Sequence, residues 1–149
     1  MGIYISTKTF TENDGLSCSY RLWQSANQHQ KLHGAVLCFK LVFECHHLTD
    51  DKQTIDLLDL EHVRDWLRSN FSFTVCVAHD DPELESFVAL SQKGLIDIRI
   101  MPAVGCEKFA EATFRYVMDW LHGSGLIRRV TIRSVECIEH GGNGSLYVE

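Results

Sequence analysis

No stretch of this sequence approaches the ~18 consecutive apolar residues that a membrane-spanning helix needs. Its opening, Met1-Gly-Ile-Tyr, lacks the pattern of a signal peptide. Basic runs are missing as well. The 14 lysines and arginines are scattered and the net charge is −6, whereas a nucleic-acid binder carries a basic patch. Cysteines number six, at 18, 38, 45, 76, 106 and 137, yet none forms a CxxC pair. Most sit among apolar neighbours and read as small buried hydrophobes, which suits a reducing, cytoplasmic setting. Internal repeats and low-complexity segments are absent too, so neither a solenoid nor a disordered linker is expected.

What is present is a chain of 149 residues, 45% hydrophobic, enough for one domain over residues 1–149 with a real core. Its organising stretch is residues 32–45, LHGAVLCFKLVFEC. From Leu37 onward, Leu37, Phe39, Leu41, Phe43 and Cys45 share one side, and Cys38, Lys40, Val42 and Glu44 the other. Period 2 with aromatic and β-branched residues reads as a strand with one buried face, long against a mean of about 5–6 residues. Residues 3–10 and 16–23 also read as extended, separated by turn chemistry at Glu12-Asn13-Asp14-Gly15.

Asp59 opens a helix whose apolar face is Leu60, Val63, Trp66 and Leu67. Residues 70–78 have β character. Asp80-Asp81-Pro82 then starts a short helix that runs to about Gln92 and stops at Gly94. Residues 95–101 are extended, ending at Pro102. The longest helix spans 105–122, with Ala110, Phe114, Val117, Met118 and Leu121 as its stripe and Gly123 closing it. Residues 127–138 return to strand, with Val130, Ile132 and Ser134 facing one way. Gly141-Gly142-Asn143-Gly144 is a turn before a last strand at 145–148. Strands, then helices, then strands, without a βαβ alternation, give an α+β class: a four-stranded antiparallel sheet in ββααββ order with helices on one face.

Six landmarks follow one another in order: SYRLW (19–23), LHG (32–34), TIDLLDLEHVRDWL (54–67), FSFTVCVAHDDPEL (71–84), VGCEKFA (104–110) and VECIEHGGNGSLY (135–147). This order resembles the 6-pyruvoyltetrahydropterin synthase / 6-carboxytetrahydropterin synthase family of the T-fold (tunnelling fold) over nearly the whole chain. The resemblance implies subunits joined edge to edge into a barrel, a homo-oligomer that is usually a hexamer built from two trimers. Members hold zinc with three histidines, one in an AAHRL-like motif and two in LHGH. Those positions here are Tyr20, His33 and Ala35, so only His33 remains, and catalytic zinc needs about three protein ligands. The family's catalytic cysteine falls on His29 and its Asp-His pair on Ser72 and Phe73, where phenylalanine cannot carry a proton.

Two acids match. The resemblance implies that Glu107, in VGCEKF, helps hold the substrate ring. Glu139, eight residues before Tyr147, would anchor the N–H edge of a pterin, since a carboxylate accepts two parallel N–H bonds. A first-turn helix glutamate and a strand-end glutamate are the plainer alternatives. His29 and His33 with His79 or Cys18 could form a rebuilt metal site. Cys106, at a helix start, could have a lowered pKa, although a buried structural cysteine is commoner. His46, His47, His62, His122 and His140 read as surface residues.

The leading expectation is thus a divergent member without the zinc-dependent lyase activity and without a cofactor, keeping a pterin- or purine-type ring pocket at subunit junctions. The alternative is an active pterin-pathway lyase acting on 7,8-dihydroneopterin triphosphate with a remodelled site, in tetrahydropterin or queuosine-precursor synthesis, with zinc as its cofactor, or a zinc-independent aldolase or epimerase. A third reading is a structural oligomer whose pocket is filled by its own side chains, Phe73 being a candidate plug.

Overall fold

Alternation along the long strand sets the architecture. In the computed structural model, which describes residues 2–56, 58–140 and 142–149, this strand, β3 (His33–Cys45), buries every second side chain from Ala35 to Cys45. One edge of β3 pairs antiparallel with β1 (Tyr4–Phe10) along 39–45 and then with β2 (Ser17–Tyr20) along 33–36. β1 and β2 are therefore one interrupted strand. A capping box at Thr11 and the left-handed Gly15 (φ 78°) make the interruption, and Arg64 and Arg68 pin it through Asp14.

The other edge of β3 pairs with β6 (Val130–Glu139), which pairs in turn with β7 (Asn143–Val148). Thus β1, β3, β6 and β7 form the expected antiparallel sheet. The expected four-strand ββααββ topology is nevertheless incomplete. The described residues form seven strands in a mixed sheet ordered β5-β4-β2-β3-β6-β7, with β1 also on β3. β4 (Ser72–Ala78) lies parallel to β2, and β5 (Ile98–Met101) parallel to β4. Between them runs α2 (Leu84–Gln92), so β4-α2-β5 is the βαβ unit not expected from sequence. The segment linking the strands exceeds the dozen or so residues that a parallel crossover requires.

The two longer helices cover the buried face of β3. α1 (Leu60–Phe71) presents Leu60, Val63, Leu67 and Phe71, and α3 (Cys106–Ser124) presents Phe109, Phe114, Val117 and Leu121. Phe71 joins them to the sheet, with ring centroids 5.2 Å from Phe39 and 4.9 Å from Phe109. Gly123 lies inside α3. The helix closes at Gly125, where φ is 80° and its N–H bonds the His122 carbonyl, because the left-handed cap needs glycine at that position. Of the glycine-rich turn, Gly141 lies outside the described residues and β7 already begins at Asn143. Leu57, within the 54–67 landmark, and Met1 also lie outside them.

Two bulges re-aim strands. In β6 the register with β3 shifts so that Val42 faces Ser134 while Phe43 faces Ile132. Arg133 is the extra residue, so Val135, Cys137 and Glu139, not Ser134, continue the side that carries Val130 and Ile132. In β4, Ser17 faces Ser72 and Cys18 faces Thr74, leaving Phe73 as the extra residue. Phe73 has φ 56° and is 84% exposed. It therefore plugs no pocket in its own subunit. A bulge re-aims side chains in this way at the cost of an unpaired residue.

Just beyond Tyr20, Arg21 binds Asp81 through two hydrogen bonds of 2.8 and 2.6 Å, with the Asp81 side chain 1% exposed. This pair holds the chain that leaves β2 against the start of α2. Arg21, outweighing burial, keeps the Asp81 carboxyl below the usual carboxylate range.

Two outcomes follow from this geometry. Phe73→Gly relieves a left-handed backbone that costs an L-residue about 1–2 kcal/mol; chemical denaturation of the variant should show a gain of up to about 1 kcal/mol. Asp81→Asn should cost about 3 kcal/mol at pH 7, as breaking a buried ion pair does. Because the folded carboxyl titrates below its unfolded value of about 3.9, this stabilisation is complete above that value and is lost as pH falls through the folded one. Urea melts at descending pH should therefore show the deficit of Asp81→Asn shrinking below about pH 4.

Candidate functional site

The last residue of β2, Tyr20, lies opposite the first of β3, His33, and Ala35 lies opposite Cys18. All four residues belong to the helix-covered face or its rim. The Arg133 bulge brings Glu139, at the end of β6 and opposite Leu37, to that same face. The Tyr20 ring is 4% exposed, held edge-on by Phe109 at 5.3 Å and against His33 at 4.6 Å between centroids. From there its hydroxyl donates to both carboxylate oxygens of Glu139, each at 3.0 Å. Burial, and next the Glu139 charge, push the phenol well above its usual range. Tyr20 is thus a neutral donor.

A second donor comes from the start of α3. The Cys106 thiol lies 3.9 Å from Glu139 Oε2, and the Cys137 thiol lies 3.7 Å from Cys106 Sγ. The hydrogen bond with Cys106, followed by burial, raises Cys137 far above an ordinary thiol. All six cysteines are free and five are buried, Cys38 being the half-exposed one, in keeping with their reading as small hydrophobes. Cys106 is the site residue that the sequence reading undervalued. Strand alternation after the bulge would have placed Cys137 beside Glu139, but the bulge itself leaves no mark in the sequence.

The remaining expected residues divide. His29, in a 3-10 turn (Gln28–Gln30), sets its exposed ring edge-on to that of His33, with 5.5 Å between centroids, and contacts Asn27 Oδ1. His33 Nδ1 contacts the Lys31 carbonyl at 3.1 Å. Glu107 is exposed in the first turn of α3 and forms no hydrogen bond with Glu139; its neighbour Cys106 makes that contact instead. Ser72 and Phe73 sit at the β4 bulge, with Phe73 turned to solvent. His79 Nδ1 contacts the Pro102 carbonyl at 3.0 Å.

This donor set does not fit a family-type zinc site. Tyr20 has committed its proton to a carboxylate, Ala35 offers only a methyl group, and His33 is left as the one imidazole of the three positions. Among the described residues no group of three or more His, Cys, Asp or Glu side chains could hold a metal ion. What the arrangement can do is accept hydrogen bonds at Glu139 from donors on the buried side.

Comparison with known proteins agrees with this fold. The chain matches the model of the family described as 6-pyruvoyl tetrahydropterin synthase over residues 9–149. No curated protein sequence matches it. Among solved structures, an uncharacterized protein from Wolinella succinogenes superposes with a TM-score of 0.83 at 14% identity, covering 100% of this chain and 99% of its own. A catalytic-residue mutant of Plasmodium vivax 6-pyruvoyltetrahydropterin synthase gives 0.66 at 10% identity, covering 98% of each chain. The Caenorhabditis elegans 6-pyruvoyl tetrahydropterin synthase gives 0.63 at 13% identity, covering 100% of this chain and 97% of its own. At such identities the superpositions speak for the fold, and with the sequence model spanning nearly all of the chain they lead to one conclusion: this protein belongs to the 6-pyruvoyl tetrahydropterin synthase family.

Proposed function

We propose that this family member has given up zinc-dependent lyase chemistry and binds a pterin- or purine-type ring at Glu139, within a homo-oligomer. The observation that carries the reading is the Tyr20 hydroxyl seated between the two oxygens of Glu139. It supports both halves of the proposal. A position that would have to supply a metal-binding nitrogen supplies a proton instead. A single buried donor bridges both oxygens of the acid, the two acceptors that a two-donor edge would use once that donor moves aside. A 2-amino-pyrimidinone edge offers two parallel N–H groups to that arrangement, one from the ring and one from the exocyclic amine.

Assembly is supported by the sheet edges. The N-terminal edge strand and β7 each leave one side unpaired and carry exposed Tyr4, Ile5, Leu146 and Val148. Pairing such edges between copies removes the open backbone groups that otherwise invite aggregation. A ring site at the end of β6 then falls near a junction between subunits. The free thiols suit a reducing, cytoplasmic setting.

Metal analysis and ligand titration test the chemistry. Purified protein should hold far less than one zinc per chain and keep its stability under chelators; stoichiometric zinc lost on replacing His33 would overturn the reading. Pterin or guanine should bind weakly to the wild type, and Glu139→Ala should weaken that binding at least about tenfold, a change of ~1.4 kcal/mol. Light scattering tests the assembly. The expected mass is that of a hexamer, a dimer of trimers, and a stable monomer at micromolar concentration would refute it.

A further inference from the structure

The ring reading leaves one contact unexplained. A carboxylate that reads a two-donor edge must offer it one free lone pair on each oxygen, yet Tyr20 reaches both oxygens at equal distance, 3.0 Å each. Equal distances put the phenol oxygen on the bisector between them, in the space that the paired N–H groups of a ring edge would fill. The phenol ring behind it is almost wholly buried against Phe109 and His33. The hydroxyl and a two-donor edge therefore compete for the same pair of oxygens.

We infer that Tyr20 is an internal competitor for Glu139, so that a ligand binds only by displacing it, and that this sets which rings are accepted. The inference rests on the proposed ring-binding role of Glu139. A ring with a single N–H merely exchanges the phenol's hydrogen bond for its own and gains nothing at the acid. A ring with two parallel donors replaces that one donor with two. Selection for the 2-amino-pyrimidinone class therefore arises from the chain's own tyrosine as well as from the acid. The buried Cys106 thiol, 3.9 Å from Oε2, remains beside the carboxylate when Tyr20 leaves and keeps the acid from being stripped of every donor.

Titration of pterin, guanine and hypoxanthine against four proteins tests this: wild type, Tyr20→Leu, Glu139→Ala and the double variant. Leucine keeps an apolar side chain against Phe109 but is too short to reach Glu139. Circular dichroism and a thermal melt establish that Tyr20→Leu is folded, and Tyr20→Phe, which keeps the ring and loses only the hydroxyl, serves as a milder second variant. Pterin and guanine should bind Tyr20→Leu at least tenfold more tightly than wild type, with Tyr20→Phe in between. Hypoxanthine should become detectable only in the Tyr20 variants, and Glu139→Ala should remove the gain. If folded Tyr20→Leu and Tyr20→Phe bind no more tightly than wild type while Glu139→Ala still weakens binding, the competitor role is refuted and the ring reading stands. If no ring binds any of the four proteins, both are refuted together.

Discussion

Everything in this subunit is referred to the two-residue period of β3. Its thirteen residues are paired along one edge by two strands in succession and along the other by β6, so a single alternation decides which side chains of four strands meet the helices. Phe39 and Phe43 are fully buried by it, and Ala35 and Cys18 meet across it at the far end. A slip of one residue would turn the whole apolar set to solvent. The same alternation constrains the site. Tyr20 and His33 face each other because β2 and β3 are in this register, and Glu139 joins them only because the Arg133 bulge shifts the phase of β6 by one residue. The site is therefore a product of sheet register first and of side-chain chemistry second.

The chemistry then follows from what a half-buried carboxylate demands. A charged acid removed from water is costly unless it is hydrogen-bonded. In this chain the demand on Glu139 is met from within by the Tyr20 phenol and the Cys106 thiol. Size is balanced as well: the large Tyr20 ring sits across from His33 while the small Ala35 lies two residues further along β3, on the same face.

Much of the fold was legible because it depends on periodicity. The apolar faces of β3, α1 and α3 stand in the sequence, as does the family order of landmarks. Three things were not legible, each for a physical reason. The parallel pairing of β4 and β5 depends on which edge of β2 is open, a fact of tertiary structure. The end of α3 at Gly125 instead of Gly123 depends on which glycine must turn left-handed, and both fit the pattern. The bulges at Arg133 and Phe73 cost one residue of pairing each and change no composition. At the site, Tyr20, His33 and Glu139 were singled out from the resemblance, yet the contact of Tyr20 with Glu139 was not foreseen, because it needs the bulge. Cys106 was set aside as a structural cysteine, and it is one, but it is placed against the acid.

On the proposed reading, a metal centre and a ring-reading acid decay in different ways, which accounts for the mixture of residues at this site. Zinc catalysis needs about three protein ligands at once, with a proton-transfer group in reach. Loss of one ligand removes most of the value of the others, so on the proposed reading replacements would accumulate together at Tyr20, Ala35, Ser72 and Phe73. A carboxylate that recognises a two-donor edge needs no partner residue for that task. It persists alone so long as its burial remains satisfied. On that reading Tyr20 supplies the satisfaction and would let Glu139 outlast the proposed loss of metal ligands around it. The hydrogen bond between Tyr20 and Glu139 would then both close the site and keep the acid within it.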